Sequence, residues 1–236
     1  MKNLNEYIKE SLLDDFDDLD KDVQQNTKKS VMKFLTDNYI LDNSPISPDT
    51  KKIKISNNTN KDGKYVVDVN GNVVVKHCDI YTLTNDLFVF GKVDGFFYCC
   101  ECDNLTSLKG APKIVGMDFY CDVCNNLTSL EGGPKEVGGN FYCSKCEKLI
   151  SLKGAPKVVD GHFGCSECKN LTSLKGAPEK VGGNFRCINT NITSLKGAPK
   201  EVGGNFNCND CIKLKNLDYL PKKIGRSLYI PNHLQK

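Results

Sequence analysis

Cysteine is the residue type in this sequence whose number and spacing could support chemistry, because thiolates bind metal ions and form disulfides. There are 13 cysteines among 236 residues. Cys121-x-x-Cys124 is followed after 18 residues by Cys143-x-x-Cys146, which fits the C-x2-C-x15–20-C-x2-C spacing of zinc sites. A zinc-stabilised nucleic-acid-binding protein is therefore one interpretation. The odd number of cysteines, together with the lack of a secretory leader, indicates a reducing compartment.

A regular period underlies the cysteine spacing and supports a second interpretation. Successive prolines are separated by 22, 22, 22, 21 and 22 residues, at Pro112, Pro134, Pro156, Pro178, Pro199 and Pro221. Phenylalanines keep the same period, at Phe97, Phe119, Phe141, Phe163, Phe185 and Phe206. A fixed period of this length is the signature of a solenoid, in which each unit buries its apolar side against its neighbours.

Apolar columns run through these units. A cysteine follows two residues after each phenylalanine, so both side chains share one face of a short strand. Two leucine columns come next, and a valine column lies beyond a Gly-x-Pro turn; their members in one unit are Leu127, Leu130 and Val137. The sequence therefore predicts a mainly β fold, with a solenoid of about eight units over residues 73–236.

These columns resemble the leucine-rich-repeat family, whose unit is L-x-x-L-x-L-x-x-N/C-x-L. Phe141 to Leu149 fits the unit from its second leucine with one extra residue, and Phe185 to Ile192 and Val73 to Ile80 fit the shorter form. The family's first leucine falls on glycine here. The resemblance, closest to short bacterial and phage arrays, implies a right-handed coil with a parallel β-sheet. No helix could fit between Gly110 and Gly116, so the proline-containing convex side should be extended.

The resemblance also gives the cysteines a structural role. The second cysteine of each pair falls in the family's Asn/Cys position, where a small polar side chain bonds the backbone of a neighbouring turn. This predicted ladder is Cys78, Cys102, Cys124, Cys146, Cys168, Thr190 and Cys211. Threonine can donate that bond but does not bind zinc, so we expect no metal and no cofactor. Cys100 is left over, and we expect it to point outward and to react first with alkylating reagents.

The region before the array has three predicted segments. Residues 1–22 form an acidic amphipathic leader and linker with a net charge of −5, from three lysines and eight acids. Residues 23–50 hold a helix over about 27–39 and a linker. Residues 51–76 form a β-hairpin cap, with a turn at Asn70-Gly71. No apolar run is long enough for a signal peptide or a membrane span.

The first ten residues carry a second resemblance, to the capsid-targeting leaders of large tailed phages, M-K-x-x-x-E-[FY]-I-x-E. Met1, Lys2, Glu6, Tyr7 and Ile8 match, as do Glu10 and the small residue Ser11 that follows. The resemblance implies cleavage between Glu10 and Ser11 and a phage-encoded protein. We expect it in the bacterial host cytoplasm or packaged in the virion, where a virion-internal structural role is an alternative.

Outward positions between the buried phenylalanine and cysteine columns are candidate partner-binding residues, because solenoids of this kind usually bind through their concave sheet. Three consecutive tyrosines form a stripe there, and tyrosine and arginine are typical interface anchors. The candidates are Tyr98, Tyr120, Tyr142, Arg186, Tyr229, Glu101, Asp122, Lys145, Glu167 and Asp210. The alternative is that the tyrosines only pack against one another across the strands.

Features of an enzyme or a nucleic-acid-binding protein are weak in this sequence. The histidines, His77, His162 and His233, fall in different units, and no phosphate-binding loop pattern occurs. Lysines recur on the opposite edge but are interrupted by Glu131 and Glu179, without aromatic residues between them. We therefore expect a non-enzymatic monomer that binds another protein, with nucleic acid and membrane not expected as partners.

Overall fold

A computed structural model describes residues 25–26, 28–31, 33, 35, 39–41, 53–56, 59–75, 80–84 and 86–235. The chain divides into two compact units, Met1–Asp37 and Asn38–Lys236. In the first unit, the described residues between 25 and 35 are helical, and Val31 and Leu35 are buried. The predicted end of this helix at residue 39 is wrong, because Tyr39–Leu41 forms a strand. The leader, including Glu10 and Ser11, lies outside the described residues.

The second unit is a parallel-stranded β-solenoid of about seven turns with almost no helix. The described strands, in chain order, are β1 (Tyr39–Leu41), β2 (Ile53–Ile55), β3 (Tyr65–Val69), β4 (Val73–Val75), β5 (Phe88–Val93), β6 (Phe97–Tyr98), β7 (Ile114–Val115), β8 (Phe119–Tyr120), β9 (Glu136–Val137), β10 (Phe141–Tyr142), β11 (Val158–Val159), β12 (Phe163–Gly164), β13 (Lys180–Val181), β14 (Phe185–Arg186), β15 (Glu201–Val202), β16 (Phe206–Asn207), β17 (Lys223–Ile224) and β18 (Leu228–Tyr229). A single 3₁₀ turn, Asn232–Leu234, follows.

Each turn gives one strand to each of two sheets. We name them the Phe sheet, in the order β1-β4-β6-β8-β10-β12-β14-β16-β18, and the Val sheet, in the order β2-β3-β5-β7-β9-β11-β13-β15-β17. From β4 and from β3 onward, neighbouring strands are parallel and equivalent residues are paired, as in Phe119 with Phe141. The first strand of each sheet, β1 or β2, is instead antiparallel to its neighbour.

The extended segment that follows each proline turn forms a second β-sheet, the Val sheet. The residues that follow each proline turn are strands in their own right, paired from turn to turn. Gly138 N, for example, donates to the carbonyl oxygen of Val115 at 2.9 Å. The valine column is therefore the inward face of a second parallel sheet, and Val115, Val137 and Val159 are almost fully buried.

The hairpin predicted across Asn70-Gly71 is wrong. Strand β3 joins the Val sheet beside β5, whereas β4 joins the Phe sheet beside β6. Asn70-Gly71 is instead a corner of the solenoid, where Gly95 N donates to the Gly71 carbonyl oxygen at 2.9 Å. Each flanking strand therefore lies between two neighbours, one antiparallel and one parallel. The antiparallel pair within the predicted cap, residues 51–76, is β2 with β3.

The core is built on a stack of phenylalanine rings. Consecutive rings from Phe97 to Phe206 lie 5.1–5.5 Å apart between centroids, with interplanar angles of 4–19°. Each ring in the stack has no exposed surface. Phe90 ends the stack with an edge contact to Phe97, at 5.7 Å and 77°. Fully buried aromatic side chains dominate the energetics of a core, so this stack is a principal source of order in the solenoid.

A ladder of polar side chains runs along the corner that precedes each Phe-sheet strand, and we name it the corner ladder. Each member accepts a hydrogen bond from the backbone N–H of its equivalent one turn later. Asn140 Oδ1, for instance, accepts from His162 N at 2.7 Å, and His162 Nδ1 accepts from Asn184 N at 2.7 Å. The described acceptors are Asn72, Asp118, Asn140, His162, Asn184 and Asn205.

One unit of the array is a residue shorter than its neighbours, yet both sheets keep their register. Phe185 still pairs with Phe206, and Val181 with Val202, across the 21-residue unit. The missing residue lies in the turn after Thr190, which reaches the buried Ile192 in two residues, whereas Cys168 reaches Leu171 in three. The turn therefore absorbs the change in length.

Candidate functional site

Tyrosine side chains form a stacked stripe on the outer face of the Phe sheet. The ring centroids of Tyr98 and Tyr120 are 5.8 Å apart, and those of Tyr120 and Tyr142 are 5.5 Å apart with an interplanar angle of 20°. Parallel register places one ring on each turn directly beside the next. Tyr98 at the end of the stripe is 37% exposed, whereas the other two are half-buried. The three rings therefore form one row of aromatic contacts across three neighbouring strands.

The centre of the stripe is held by contacts on both sides. Tyr120 donates a hydrogen bond from its hydroxyl to Asp118 Oδ2 at 2.6 Å. Its ring also receives an edge contact at 6.4 Å from Phe96, which occupies the position before Phe97. Because Asp118 is itself fixed in the corner ladder through Asn140 N, the Tyr120 ring is positioned before any partner binds.

The stripe ends at a glycine, Gly164, which occupies the next position in the outward column. A Cβ atom at Gly164 would lie 2.9 Å from Cδ1 of Tyr142, so the Tyr142 ring lies over the glycine and fills the space of a side chain. Gly164 is buried as a result. One turn further on, the exposed Arg186 lies near enough to Tyr142 for its positive charge to act on the phenol. Aromatic and cationic groups are therefore brought together on this face.

The environment keeps these phenols neutral. The Cys100 thiol, followed by burial, raises the pKa of Tyr98 to about 12. Burial, followed by the hydrogen bond to Asp118, raises the pKa of Tyr120 above its ordinary value. Burial also raises the pKa of Tyr142, against an opposing effect of Arg186. At neutral pH the stripe is therefore an uncharged surface that can donate and accept hydrogen bonds.

The other predicted residues lie mostly at the corner that follows the Phe-sheet strands. Glu101, Lys145, Glu167 and Asp210 are exposed and occupy equivalent positions, with φ between 58° and 60°. Lys145 Nζ lies 3.9 Å from Glu167 Oε1 across one turn. This left-handed backbone conformation is unusual for residues other than glycine. The column therefore borders the tyrosine stripe, at a sharp turn of the chain, rather than lying on the sheet itself.

Asp122 belongs to a different column from these four residues. The equivalent of Glu101 in its turn is Val123, which has φ 58°. Asp122 is half-buried, and its Oδ1 accepts a hydrogen bond from Ser144 N at 2.7 Å. Burial raises the pKa of this carboxyl group. Part of its hydrogen-bonding capacity is thus used within the fold.

The remaining candidates lie further along the outward column. Tyr229, in β18, is 42% exposed and pairs with Asn207, not with another tyrosine. Between the stripe and Tyr229, the column passes through Gly164, Arg186 and Asn207. The structure therefore brings together Tyr98, Tyr120 and Tyr142, with Arg186 nearby, and leaves Tyr229 separate.

The ladder cysteines bond the backbone of the preceding turn. The Sγ atoms of Cys124, Cys146 and Cys168 donate to the carbonyl oxygens of the strand cysteines one turn earlier at 3.1–3.2 Å, and Cys211 donates to Cys187 at 3.1 Å. Thr190 differs, because its hydroxyl donates to the Cys187 carbonyl oxygen of its own turn, at 2.9 Å. Cys102 bonds the Cys100 carbonyl oxygen at 3.5 Å, and Cys78 lies outside the described residues.

Burial and hydrogen bonding shift the pKa values of the buried thiols in opposite directions. The described cysteines are all buried, and burial raises the pKa of Cys143 and Cys165 well above the ordinary value. A protonated thiol is a poor nucleophile and a poor metal ligand. Across the described part of the chain, histidine, cysteine and acidic side chains form no group of three that could hold a metal ion. Hydrogen bonding has the opposite effect at two positions: contacts with Cys102 and Cys146 lower the pKa of Cys124, and contact with Cys187 lowers the pKa of Cys211 to about 6.

The prediction that Cys100 points outward is wrong. Its side chain is 7% exposed, and its Sγ lies 3.8 Å from Asp122 Oδ2. Burial, followed by the negative charge of Asp122, raises the pKa of Cys100 to about 12. The residue packs under the edge of the stripe beside Tyr98, where it affects the ionisation of that phenol.

Sequence reasoning missed the residues that position the stripe. Asp118, Asn140 and His162 precede the phenylalanines and belong to the corner ladder, and Gly164 provides the space that Tyr142 fills. A signal was available, because a polar residue that can accept a hydrogen bond stands before the phenylalanine in five consecutive turns, from Asp118 to Asn205.

Comparisons with protein-family models, with curated proteins and with solved structures give no match to this chain. Within the described residues, no helix has the length and apolar character needed to cross a membrane.

Proposed function

We propose that this chain is a non-enzymatic protein–protein interaction module that binds its partner through the outer face of the Phe sheet. The observation that carries the proposal is the tyrosine stripe, in which Tyr120 and Tyr142 stack at 5.5 Å and Tyr98 lies 5.8 Å from Tyr120 with its ring tilted by 46°. Tyrosine and arginine are enriched among the residues that dominate binding energy at interfaces, and Arg186 lies beside the stripe.

Pre-organisation supports this use of the face. Binding normally costs about 0.5–1.5 kcal/mol for each flexible side chain that becomes fixed. Tyr120 is already held by Asp118 and Phe96, and Tyr142 by its packing over Gly164. A partner therefore meets rings that have already lost most of their freedom, so a larger share of the contact energy becomes affinity.

The solenoid itself is proposed to be of the leucine-rich-repeat type. The fit of the repeat unit supports this assignment, and so do the buried leucine columns and the thiol-to-backbone hydrogen bonds at the family's Asn/Cys position. In this assignment the Val sheet would form the extended, proline-containing side of the coil.

The binding proposal is tested by removing two rings of the stripe. Tagged wild type and the double variant Tyr98→Ala/Tyr120→Ala are used to recover partners from bacterial lysate, and the affinity for the recovered protein is then measured. We expect affinity to fall at least about tenfold, since residues of this kind are typical hot spots.

Tyr81→Ala/Tyr219→Ala is the matched control, because Tyr81 and Tyr219 are exposed by 67% and 62% and lie outside the Phe-sheet strands. It removes the same two side chains from elsewhere on the surface and should bind as the wild type does. Equal loss in both variants, or full binding by the stripe variant despite an intact fold, would exclude the stripe as the binding site.

A phage origin, with packaging into the virion, is a further part of the proposal, and the leader resemblance supports it. The intact mass of the protein recovered from virions should show that residues 1–10 have been removed. Absence of the protein from virions would reject packaging while leaving the binding proposal in place.

A further inference from the structure

A groove crosses the corner that leads into the Val sheet, away from the tyrosine stripe. It has a volume of about 500 Å³ and spans two successive turns. Its lining is Gly132, Gly133, Pro134, Lys135, Gly154, Ala155, Pro156 and Lys157. We name it the corner groove. Pro134 and Pro156 are buried and form its floor, and exposed lysines stand on its rim.

The groove lies where one unit departs from the repeat. The residue before the proline is alanine in the neighbouring units, as in Ala111 and Ala155, but glycine at Gly133. A Cβ atom there would lie 3.0 Å from the Leu130 carbonyl oxygen and 3.1 Å from Leu108 Cδ1. A methyl group would thus be tight but possible. The glycine therefore opens space that an ordinary unit of this array would fill.

The charges of the groove are of one sign. Lys135 and Lys157 are its only charged lining residues, and Lys113 occupies the same position one turn earlier. Within the described residues, no carboxylate forms an ion pair with these three lysines. Other lysines along this edge are neutralised, since Lys153 lies 2.5 Å from Glu131 and Lys200 lies 2.7 Å from Glu179.

An adjacent shallower groove of about 420 Å³ shares Lys135 and Lys157 and adds apolar surface from Ile114 and Val158. Its lining also includes Glu136 and Asp160, which lie farther from the corner. The shared lysines therefore stand between two apolar surfaces. Negative charge lies at Glu136 and Asp160 on one side and at Glu179 one turn after Lys157, where Lys200 and then Lys157 lower the pKa of the Glu179 carboxyl group.

The distance between successive lysines indicates which secondary structure a bound peptide would have. Neighbouring turns of a β-sheet are about 4.8 Å apart, so the three lysines repeat at that interval. An α-helix rises about 1.5 Å per residue, which puts side chains at i and i+3 about 4.5 Å apart along its axis. An extended strand puts same-face side chains about 6.7 Å apart. A helix lying along the array therefore matches the lysine row better than a strand does.

We propose that the corner groove docks an acidic amphipathic α-helix from a partner protein. Glutamates at i, i+3 and i+7 would pair with Lys113, Lys135 and Lys157, and leucines beside them would pack on Pro134, Pro156 and Ala155. This surface is separate from the tyrosine stripe, so the array binds at two places on its circumference.

The test uses a fluorescein-labelled 18-residue peptide with glutamate and leucine in that pattern, followed by fluorescence anisotropy against the full chain. We expect Lys135→Glu/Lys157→Glu to weaken binding at least about tenfold. Gly133→Ala, which narrows the groove without changing its charge, should weaken binding by a smaller factor.

Lys175→Glu/Lys196→Glu makes the same change in net charge outside the groove and should bind nearly as well as the wild type. A scrambled peptide of the same composition should not bind. Equal weakening by both charge reversals, or equal binding of the scrambled peptide, would show attraction to net charge alone and overturn the proposal. Tighter binding of a 20-base-pair DNA duplex would overturn it in favour of nucleic acid.

Discussion

The two sheets of the solenoid have the same backbone pairing, with one strand from each turn. Their side chains nevertheless differ on both the buried and the exposed face. The Phe sheet buries stacked phenylalanines and exposes tyrosine, arginine and asparagine. The Val sheet buries valines and exposes mainly lysine, glutamate and aliphatic residues, with Lys180 lying 3.8 Å from Glu201 across one turn. In the described part of the chain, the corner ladder of polar side chains precedes the Phe sheet. The stacked core rings, the corner ladder and the exposed tyrosines are therefore all found at the Phe sheet.

This difference indicates that backbone pairing alone does not define a binding face. Both sheets have the same backbone hydrogen-bonding scheme, but the Phe side adds a ring stack inside and side-chain hydrogen bonds at its edge. Exposed side chains on a sheet that is supported both by a ring stack and by side-chain hydrogen bonds have less freedom to move than those on the Val sheet. We infer that the Phe side is the more rigid one, and the predictions below test this from the largest expected effect to the smallest.

Core truncation should affect the two sheets unequally. Phe141→Ala removes a ring that stacks on two neighbours and should lower the free energy of unfolding by about 3–5 kcal/mol. Val137→Ala, at the equivalent inward position of the Val sheet, should cost about 2 kcal/mol. Urea denaturation of both variants measures the difference. Equal losses would contradict the view that the Phe stack dominates.

The corner ladder should depend on an acceptor at residue 162. His162→Leu leaves Asn184 N without its acceptor and should cost about 1–2 kcal/mol, because a half-buried donor then lacks a partner. His162→Asn restores the side chain found at the equivalent Asn140 and Asn184, so its loss should be much smaller. Thermal unfolding of both variants checks this, and equal stability of the two would count against the ladder.

Backbone strain at the corner after the Phe sheet should be relieved by a suitable residue. Val123 has φ 58°, which a β-branched side chain disfavours. Val123→Asn should therefore stabilise the protein by up to about 1 kcal/mol, since asparagine tolerates this conformation. Val158→Asn, the control substitution on a strand of the Val sheet, should not increase the stability of the protein. A lower melting temperature for Val123→Asn would show that the packing of valine outweighs its strain.

Alkaline titration should show that Tyr98 ionises at a higher pH than an ordinary tyrosine. The pKa of Tyr98 is raised to about 12 in the folded chain, above the ordinary value of about 10. The unfolded chain therefore loses this proton first. The stability contributed by neutral Tyr98 is complete below about pH 10 and is lost as the pH approaches 12. The ultraviolet absorbance difference between wild type and Tyr98→Phe follows this titration, and an apparent pKa near 10 would contradict it.

The repeating core was predictable from the sequence because burial leaves few choices. Phe141, Leu149 and Leu152 are completely buried, as their columns indicate, and the turns are stacked in parallel. The Val sheet was harder to predict, since two-residue strands such as Glu136–Val137 give no alternating pattern. Only pairing with adjacent turns makes them strands.

Predictions from short sequence motifs were wrong where pairing between distant strands determines the structure. Asn70-Gly71 favours a hairpin over a short range, but β3 and β4 each find a parallel neighbour one turn later and diverge. Cys100 was expected outside because it falls in neither cysteine column, yet the turn folds it beneath Tyr98. The outward column was predictable from strand alternation, whereas the corner at Val123 was not, since only glycine would have marked a positive φ.

The short turn after Thr190 has a practical consequence for engineering. Both sheets stay in register although this unit lacks one residue, so the corner already accommodates a natural deletion. A site that tolerates a change in length is suited to receiving foreign sequence. Thr190 and Ile192 are buried, so a short epitope or reporter segment would replace the half-buried Asn191 between them and would be displayed away from the tyrosine stripe and the corner groove.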